Sequence, residues 1–212
     1  MSVSENLKAV RDRIERAGRN PDEIAVVAVT KSFGPEVCRE AVSAGLKVLG
    51  ENRVQEALAK MDAVDGAQWH LIGHLQTNKV RQVVGRFALI QSIDSTRVSE
   101  AVAAIDSAQP VLVEVNVAEE HQKTGVDPKG AGELIDRVAE MLDLQGLMAM
   151  GPAEGDPAPA FERLRRLRDE AQQRLGRPLP ILSIGMSGDF EAAVKAGSTM
   201  LRLGRVLFGP RG

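Results

Sequence analysis

Along this chain, short apolar and β-branched runs alternate with longer stretches whose apolar residues recur every three or four positions. The first pattern is that of a strand buried on both faces, the second that of an amphipathic helix. The chain opens with a helix over 2–17, where Ser2 and Glu5 form a capping box and Leu7, Val10 and Ile14 share one face before Gly18. The run Ala25-Val26-Val27-Ala28-Val29-Thr30-Lys31 reads as the first strand. A helix then starts at Pro35 and stops near Gly45, with Val37, Cys38, Ala41 and Val42 on its apolar face. Further strands are expected at 47–50, 69–73, 87–93, 110–116, 145–150, 181–186 and 200–204. Helices are expected between them at about 53–61, 77–84, 95–105, 131–141, 161–175 and 190–196, with a polar loop over 118–130.

Eight strands separated by helices imply parallel pairing through right-handed crossovers, and eight units favour closure. The expected fold is α/β, a single (β/α)8 TIM-type barrel with an extra N-terminal helix. An open doubly wound sheet is the alternative, but no Gly-x-Gly-x-x-Gly follows the first strand to favour it. No composition shift marks a boundary and the chain stops at Gly212, so one domain over 1–212 is expected.

With 27 basic and 29 acidic side chains the net charge is −2, which gives no general pull towards nucleic acid or an anionic membrane. No apolar run approaches the ~20 residues of a membrane span. The start Met1-Ser2-Val3-Ser4-Glu5 lacks the parts of a signal peptide, so a cytoplasmic protein is expected. The single cysteine, Cys38, cannot form an internal disulfide and reads as a small buried hydrophobe.

Lys31 ends the first strand, and in a parallel barrel the carboxyl ends of the strands are where chemistry is placed. A partly desolvated lysine there loses basicity and becomes a nucleophile towards carbonyls; the plainer reading is a strand-end lysine reaching into solvent. After strand seven, Gly185-Met186-Ser187-Gly188-Asp189-Phe190 passes straight into a helix. That makes Ser187 and Gly188 candidate anion ligands, or else Ser187 or Asp189 is an ordinary helix cap. In strand eight, if Leu201 and Leu203 face the helices, Arg202 and Gly204 face the lumen. An inward arginine needs acceptors, either a core acid such as Glu51 or Glu114 or a bound ligand. An amine, an anion cradle and a guanidinium at one mouth suit a ligand with an aldehyde, a phosphate and a ring nitrogen, and pyridoxal phosphate (PLP) combines the three.

Several motifs also resemble the pyridoxal phosphate homeostasis protein family: Val27 to Lys31, Gly50-Glu51-Asn52, Trp69 to Lys79, Gly146 to Met150, Ser183 to Asp189, and Arg202-Leu203-Gly204 with Phe208-Gly209. The resemblance covers almost the whole chain and implies a barrel related to the amino-terminal domain of alanine racemase. It implies that Lys31 carries PLP as a Schiff base and that Ser187, Gly188 and the Gly204-Arg205 backbone hold the phosphate. By the same resemblance Arg202 meets the pyridine nitrogen and Asn52 lies beside the cofactor. Two departures stand out: Arg205 replaces an expected small hydroxyl residue, and Arg53 follows Asn52 where an aromatic is common.

The related racemases use a tyrosine from a second domain as opposing base, whereas this sequence contains no tyrosine. An arginine at the ring nitrogen also makes a weaker electron sink than a carboxylic acid, although alanine racemases share that pairing. The resemblance therefore implies a PLP-binding protein of intracellular PLP homeostasis without robust amino-acid turnover, serving PLP-requiring apoenzymes as a monomer or at most a weak dimer. The opposing reading is a racemase or another lysine Schiff-base enzyme.

The remaining features have plainer readings. His70 and His74 lack a third ligand for zinc, and Trp69, Met148 and Met150 read as barrel core or lining. Arg163, Arg165, Arg166 and Arg168 are offset by Glu162, Asp169 and Glu170 on a solvated helix face. The loop Glu119 to Gly125 hangs from strand five, where it could cover the site, touch a partner or simply be solvated.

Overall fold

A strand that is apolar on both faces needs cover on both, and here one face meets helices and the other meets the opposite strands of a closed cylinder. The computed structural model describes residues 2–120 and 122–210. Its strands are β1 (Ala25–Val29), β2 (Val48–Glu51), β3 (Gln68–Leu71), β4 (Leu89–Ile93), β5 (Pro110–Glu114), β6 (Asp143–Met148), β7 (Ile181–Ser183) and β8 (Met200–Leu203). They pair in sequence order, all parallel, and β8 closes on β1 with Val27 opposite Arg202. The helices are α1 (Val3–Arg16), α2 (Pro35–Ser43), α3 (Val54–Met61), α4 (Val80–Val83), α5 (Thr96–Ala103), α6 (Pro128–Met141), α7 (Ala158–Leu175), α8 (Phe190–Lys195) and α9 (Arg205–Phe208). The barrel expected from the alternation is the barrel observed, with α1 as the extra N-terminal helix.

The period of two along each strand sorts its side chains. Ala28 and Leu201 join the large core between barrel and helices, while Val27, Leu89, Leu112, Met148 and Met200 meet in the lumen. This apolar layer plugs the cylinder below its carboxyl-terminal rim. The same alternation carried upward turns Val29 and Lys31, and Arg202 and Gly204, towards the cleft above the plug.

Element ends depart from the sequence reading where local chemistry outweighs apolar pattern. Ladders stop early: β1 ends at Val29, so Lys31 stands in the turn after it, and β7 ends at Ser183. The expected helix over 77–84 divides into a 3-10 turn, Thr77–Lys79, and the single turn α4, closed by Gly85 at φ 75°. Helix α6 begins at Pro128, inside the expected loop, because Asp127 accepts from the Lys129 N–H at 2.8 Å and proline suits a first helical turn. Helix α1 has the expected capping box and is tied to α9 by Asn6 Nδ2 donating to Leu207 O at 2.8 Å. Cys38 is buried, and of the arginines of α7, Arg163 pairs with Glu119, Arg165 with Glu162 and Arg168 with Asp169. Among the described residues, no helix is long and apolar enough to cross a membrane and no group of side chains is suited to a metal ion.

Candidate functional site

The rim of the barrel above the lumen plug opens into a cleft of about 590 Å³. All seven residues singled out from the sequence, Lys31, Asn52, Ser187, Gly188, Arg202, Gly204 and Arg205, line it. Lys31 is half-buried, in a turn that the Phe33 N–H closes on Thr30 O at 3.1 Å. Asn52 follows β2 directly, and Gly73 after β3 is what lets the two chains touch there. A Cβ on Gly73 would lie 2.7 Å from Asn52 Cα and would also collide with Asn52 O.

The opposite rim is built from backbone N–H groups. Ser187 Oγ accepts from Gly204 N at 3.3 Å and from Val206 N at 3.2 Å, so its hydroxyl marks where donors at the start of α9 converge. Asp189 stands at the cap position of α8, but its side chain makes no hydrogen bond to the first turn of that helix; Oδ1 accepts instead from Met186 N at 2.6 Å in the preceding turn, and Ser187 faces the cleft. Gly185, at φ 100°, turns the chain out of β7, and a Cβ there would lie 2.6 Å from Ala193 Cβ. Gly188 has open space around it, room for a ligand to approach its backbone.

Arg202 enters the cleft from below and is 4 % exposed. Its guanidinium donates to Ser183 O at 2.8 Å, Ser183 Oγ at 2.7 Å and Ala149 O at 2.8 Å. The two acids considered as partners are engaged elsewhere: Glu51 pairs with Lys60 at 2.8 Å, and Glu114 Oε1 accepts from Thr124 Oγ1 at 2.6 Å. Among the described residues no carboxylate stands within ion-pair distance of Arg202. Burial lowers its pKa to about 10, with Glu114 and Asp189 opposing the shift from further off, so it stays charged at neutral pH.

Beneath Arg202 a polar chain crosses the lumen. Ser183 Oγ donates to Gln91 Oε1 at 2.7 Å, and Gln91 Nε2 reaches His70 Nδ1 at 3.0 Å. Since arginine and an amide nitrogen can only donate, each link has one direction, and His70 must accept at Nδ1 as the neutral ring. Burial accounts for that, holding the His70 pKa down to about 4. His70 is therefore part of the support under Arg202, and His74 pairs separately with Asp94 at 2.9 Å.

Sequence reasoning missed Lys123 as a lining residue. The loop after β5 folds back through Gly125, at φ 108° and with its Cβ position 2.8 Å from Asn116 N, which brings Lys123 to the mouth. There Lys123 Nζ donates to Gly151 O at 2.7 Å and to Glu120 Oε1 at 2.9 Å, joining the loops after β5 and β6 over one side of the cleft. The glycine and the lysine were visible as loop residues, but nothing in their spacing says which way the loop folds. His121, in the same loop, lies outside the described residues. Arg205 lines the cleft, and Arg53 instead occupies the cap position of α3.

Comparison with known proteins agrees with this geometry. Residues 3–212 match the family described as alanine racemase, N-terminal domain. The pyridoxal phosphate homeostasis protein of Aquifex aeolicus is 42 % identical, over 100 % of this chain and 99 % of that protein. Its counterpart in Escherichia coli strain K12 is 38 % identical over 99 % and 97 %. The solved structure of PipY from Synechococcus elongatus, described as having PLP bound, superposes with a TM-score of 0.83 at 30 % identity, covering 98 % of this chain and 100 % of that one. The chain belongs to the pyridoxal phosphate homeostasis protein family, whose barrel is that of the alanine racemase N-terminal domain.

Proposed function

We infer that this protein binds PLP in the cleft, through Lys31, and takes part in PLP homeostasis rather than amino-acid turnover. The observation that carries the reading is Arg202, a buried cation at the cleft floor with no carboxylate beside it among the described residues. Desolvating a charge without an opposite one is costly unless a ligand supplies an acceptor, and a pyridine nitrogen is such an acceptor. The residues present fit the whole group: a half-buried amine at one rim, converging N–H donors at the other, and the guanidinium between. Ser187, Gly188 and the Gly204-Arg205 backbone would hold the phosphate, Asn52 would flank the ring, and Lys31 would take the aldehyde carbon. Arg205 adds a positive charge to the anion end, where the resemblance leads one to expect a hydroxyl.

Once bound, PLP supplies an electrophilic carbonyl and an electron-withdrawing ring. The chain's own residues restrict the chemistry open to it. Arg202 would donate to the ring nitrogen without giving up its proton, which would keep the ring a weak electron sink. Proton transfer at a substrate carbon also needs a second positioned base, and the chain has no tyrosine to serve. The arrangement suits keeping a reactive aldehyde sequestered and passing it to PLP-requiring apoenzymes. Borohydride reduction of PLP-loaded protein and peptide mapping of the product test the reading. A pyridoxyl group on Lys31, absent from Lys31→Ala, is expected; a group on any other residue, or a wild-type protein that keeps no PLP after desalting, overturns it. Rapid exchange of an amino acid's α-hydrogen in heavy water would favour the racemase reading instead.

A further inference from the structure

Lys60, on α3, is 5 % exposed and spends its ammonium protons on three acceptors: Thr30 O at 3.0 Å, Glu51 Oε1 at 2.8 Å and Glu56 Oε1 at 2.9 Å. Glu51 Oε1 also accepts from Thr30 Oγ1 at 2.7 Å, and Glu56 Oε1 accepts from the Ser32 N–H. Thr30 and Ser32 are the two neighbours of Lys31 in the chain. One ionic cluster therefore holds the carbonyl just before Lys31 and the N–H just after it, the two peptide groups that set the direction of its Cα–Cβ bond.

As a source of stability such a cluster is a poor choice. Desolvating two charges largely offsets their attraction, and apolar packing between α3 and β1 would serve as well. The local cost is visible: Glu51 is fully buried, its Oε2 has no hydrogen-bond partner, and burial pushes its pKa up against the pull of Lys60 and Thr30. What charged groups do and methyl groups cannot is orient peptide dipoles. The turn needs this, because Ser32 is held at φ 68°, a left-handed conformation that costs a residue with a Cβ roughly 1 kcal/mol. The period of two explains the division of labour. Lys31 turns into the cleft while Thr30 turns outward, where α3 can grip it. Because α3 also begins two residues after Asn52, with Arg53 between them as its cap, the same helix anchors two sides of the site.

We propose that Lys60, acting with Glu51 and Glu56, is a positioning residue that aims the Lys31 amine into the cleft by fixing the peptide groups on either side of it. The proposal rests on the reading of Lys31 as the attachment point for PLP. It is tested on full-length protein freed of cofactor, by adding PLP and measuring three quantities. These are the rate at which borohydride-trappable pyridoxyl appears on Lys31, the visible absorbance of the bound cofactor, and the Tm of the empty protein. Lys60→Met is expected to slow attachment roughly tenfold or more, as expected of a misdirected reacting group, and to shift the visible band. Lys60→Arg, which keeps the charge and the donors, is expected to recover most of the rate. Glu56→Ala frees the Ser32 N–H at a partly exposed position and is expected to slow attachment several-fold, which keeps the test decisive if Lys60→Met does not fold. Wild-type rate and spectrum in the folded variants, with only a lowered Tm, would overturn the proposal while leaving the PLP reading intact. A wild-type protein that never attaches PLP to Lys31 would remove both.

Discussion

Replacing Arg202 with methionine separates ligand binding from stability. The unbranched side chain fills much of the same space, so packing is largely kept. Three hydrogen bonds disappear, but Ser183 O still accepts from Ala149 N at 3.1 Å and Ser183 Oγ still donates to Gln91. The main loss is the donor to Ala149 O, worth about 1–3 kcal/mol for a buried carbonyl. Against it stands relief from burying a cation without a counter-charge, itself several kcal/mol on the order of magnitude seen when buried ions are removed. The empty Arg202→Met protein is therefore expected to unfold in urea within about 2 kcal/mol of wild type, in either direction. Affinity for PLP is expected to behave differently. A hydrogen bond from a charged donor contributes about 1.5–3 kcal/mol, so Kd should rise about 10- to 150-fold in an equilibrium titration read by cofactor absorbance. A variant that loses more than about 4 kcal/mol of stability yet binds PLP as tightly as wild type would show the guanidinium to be structural and refute the reasoning.

The supporting histidine gives a pH signature. With its folded pKa depressed to about 4 from the ordinary 6.5, His70 contributes stability that is fully present above about pH 6.5 and lost as pH falls towards 4, up to about 3 kcal/mol in all. Glu51 and Glu114, whose values are raised by burial, act in the opposite sense, so the measurement is a difference. Between pH 7 and 4.5 wild type should lose more unfolding free energy than His70→Gln, and parallel pH profiles would count against it. Gly73→Ala should push the backbone at Asn52 aside, lowering stability by about 1–3 kcal/mol and weakening PLP binding together. Unchanged binding would mean that Asn52 does not flank the cofactor.

The strand order and closure were legible because the barrel repeats one rule: apolar β-branched run, short connection, amphipathic helix. Arg202 was legible for a related reason, since the residues flanking it are leucines and the period of two leaves it only the lumen. Lys60 was not. Glu56 and Lys60 stand four apart on a short helix, a spacing common to surface ion pairs that marks out neither residue; only the approach of β1 and β2 shows that Lys60 is roofed over. Lys123 was hidden for want of any periodicity in its loop, which turns at two residues of positive φ, Glu119 and Gly125. Strand ends were overread at Lys31 and Met186 because an apolar or β-branched residue is equally at home in the first turn beyond a ladder.

The plug of Val27, Leu89, Leu112, Met148 and Met200 has a consequence for traffic. A tube sealed at one end has a single doorway, so whatever arrives and whatever leaves must use the same rim, in turn. On the proposed function, a recipient protein would come over that rim with its own amine extended, because the lower end offers no back passage and a closed cylinder has no open flank.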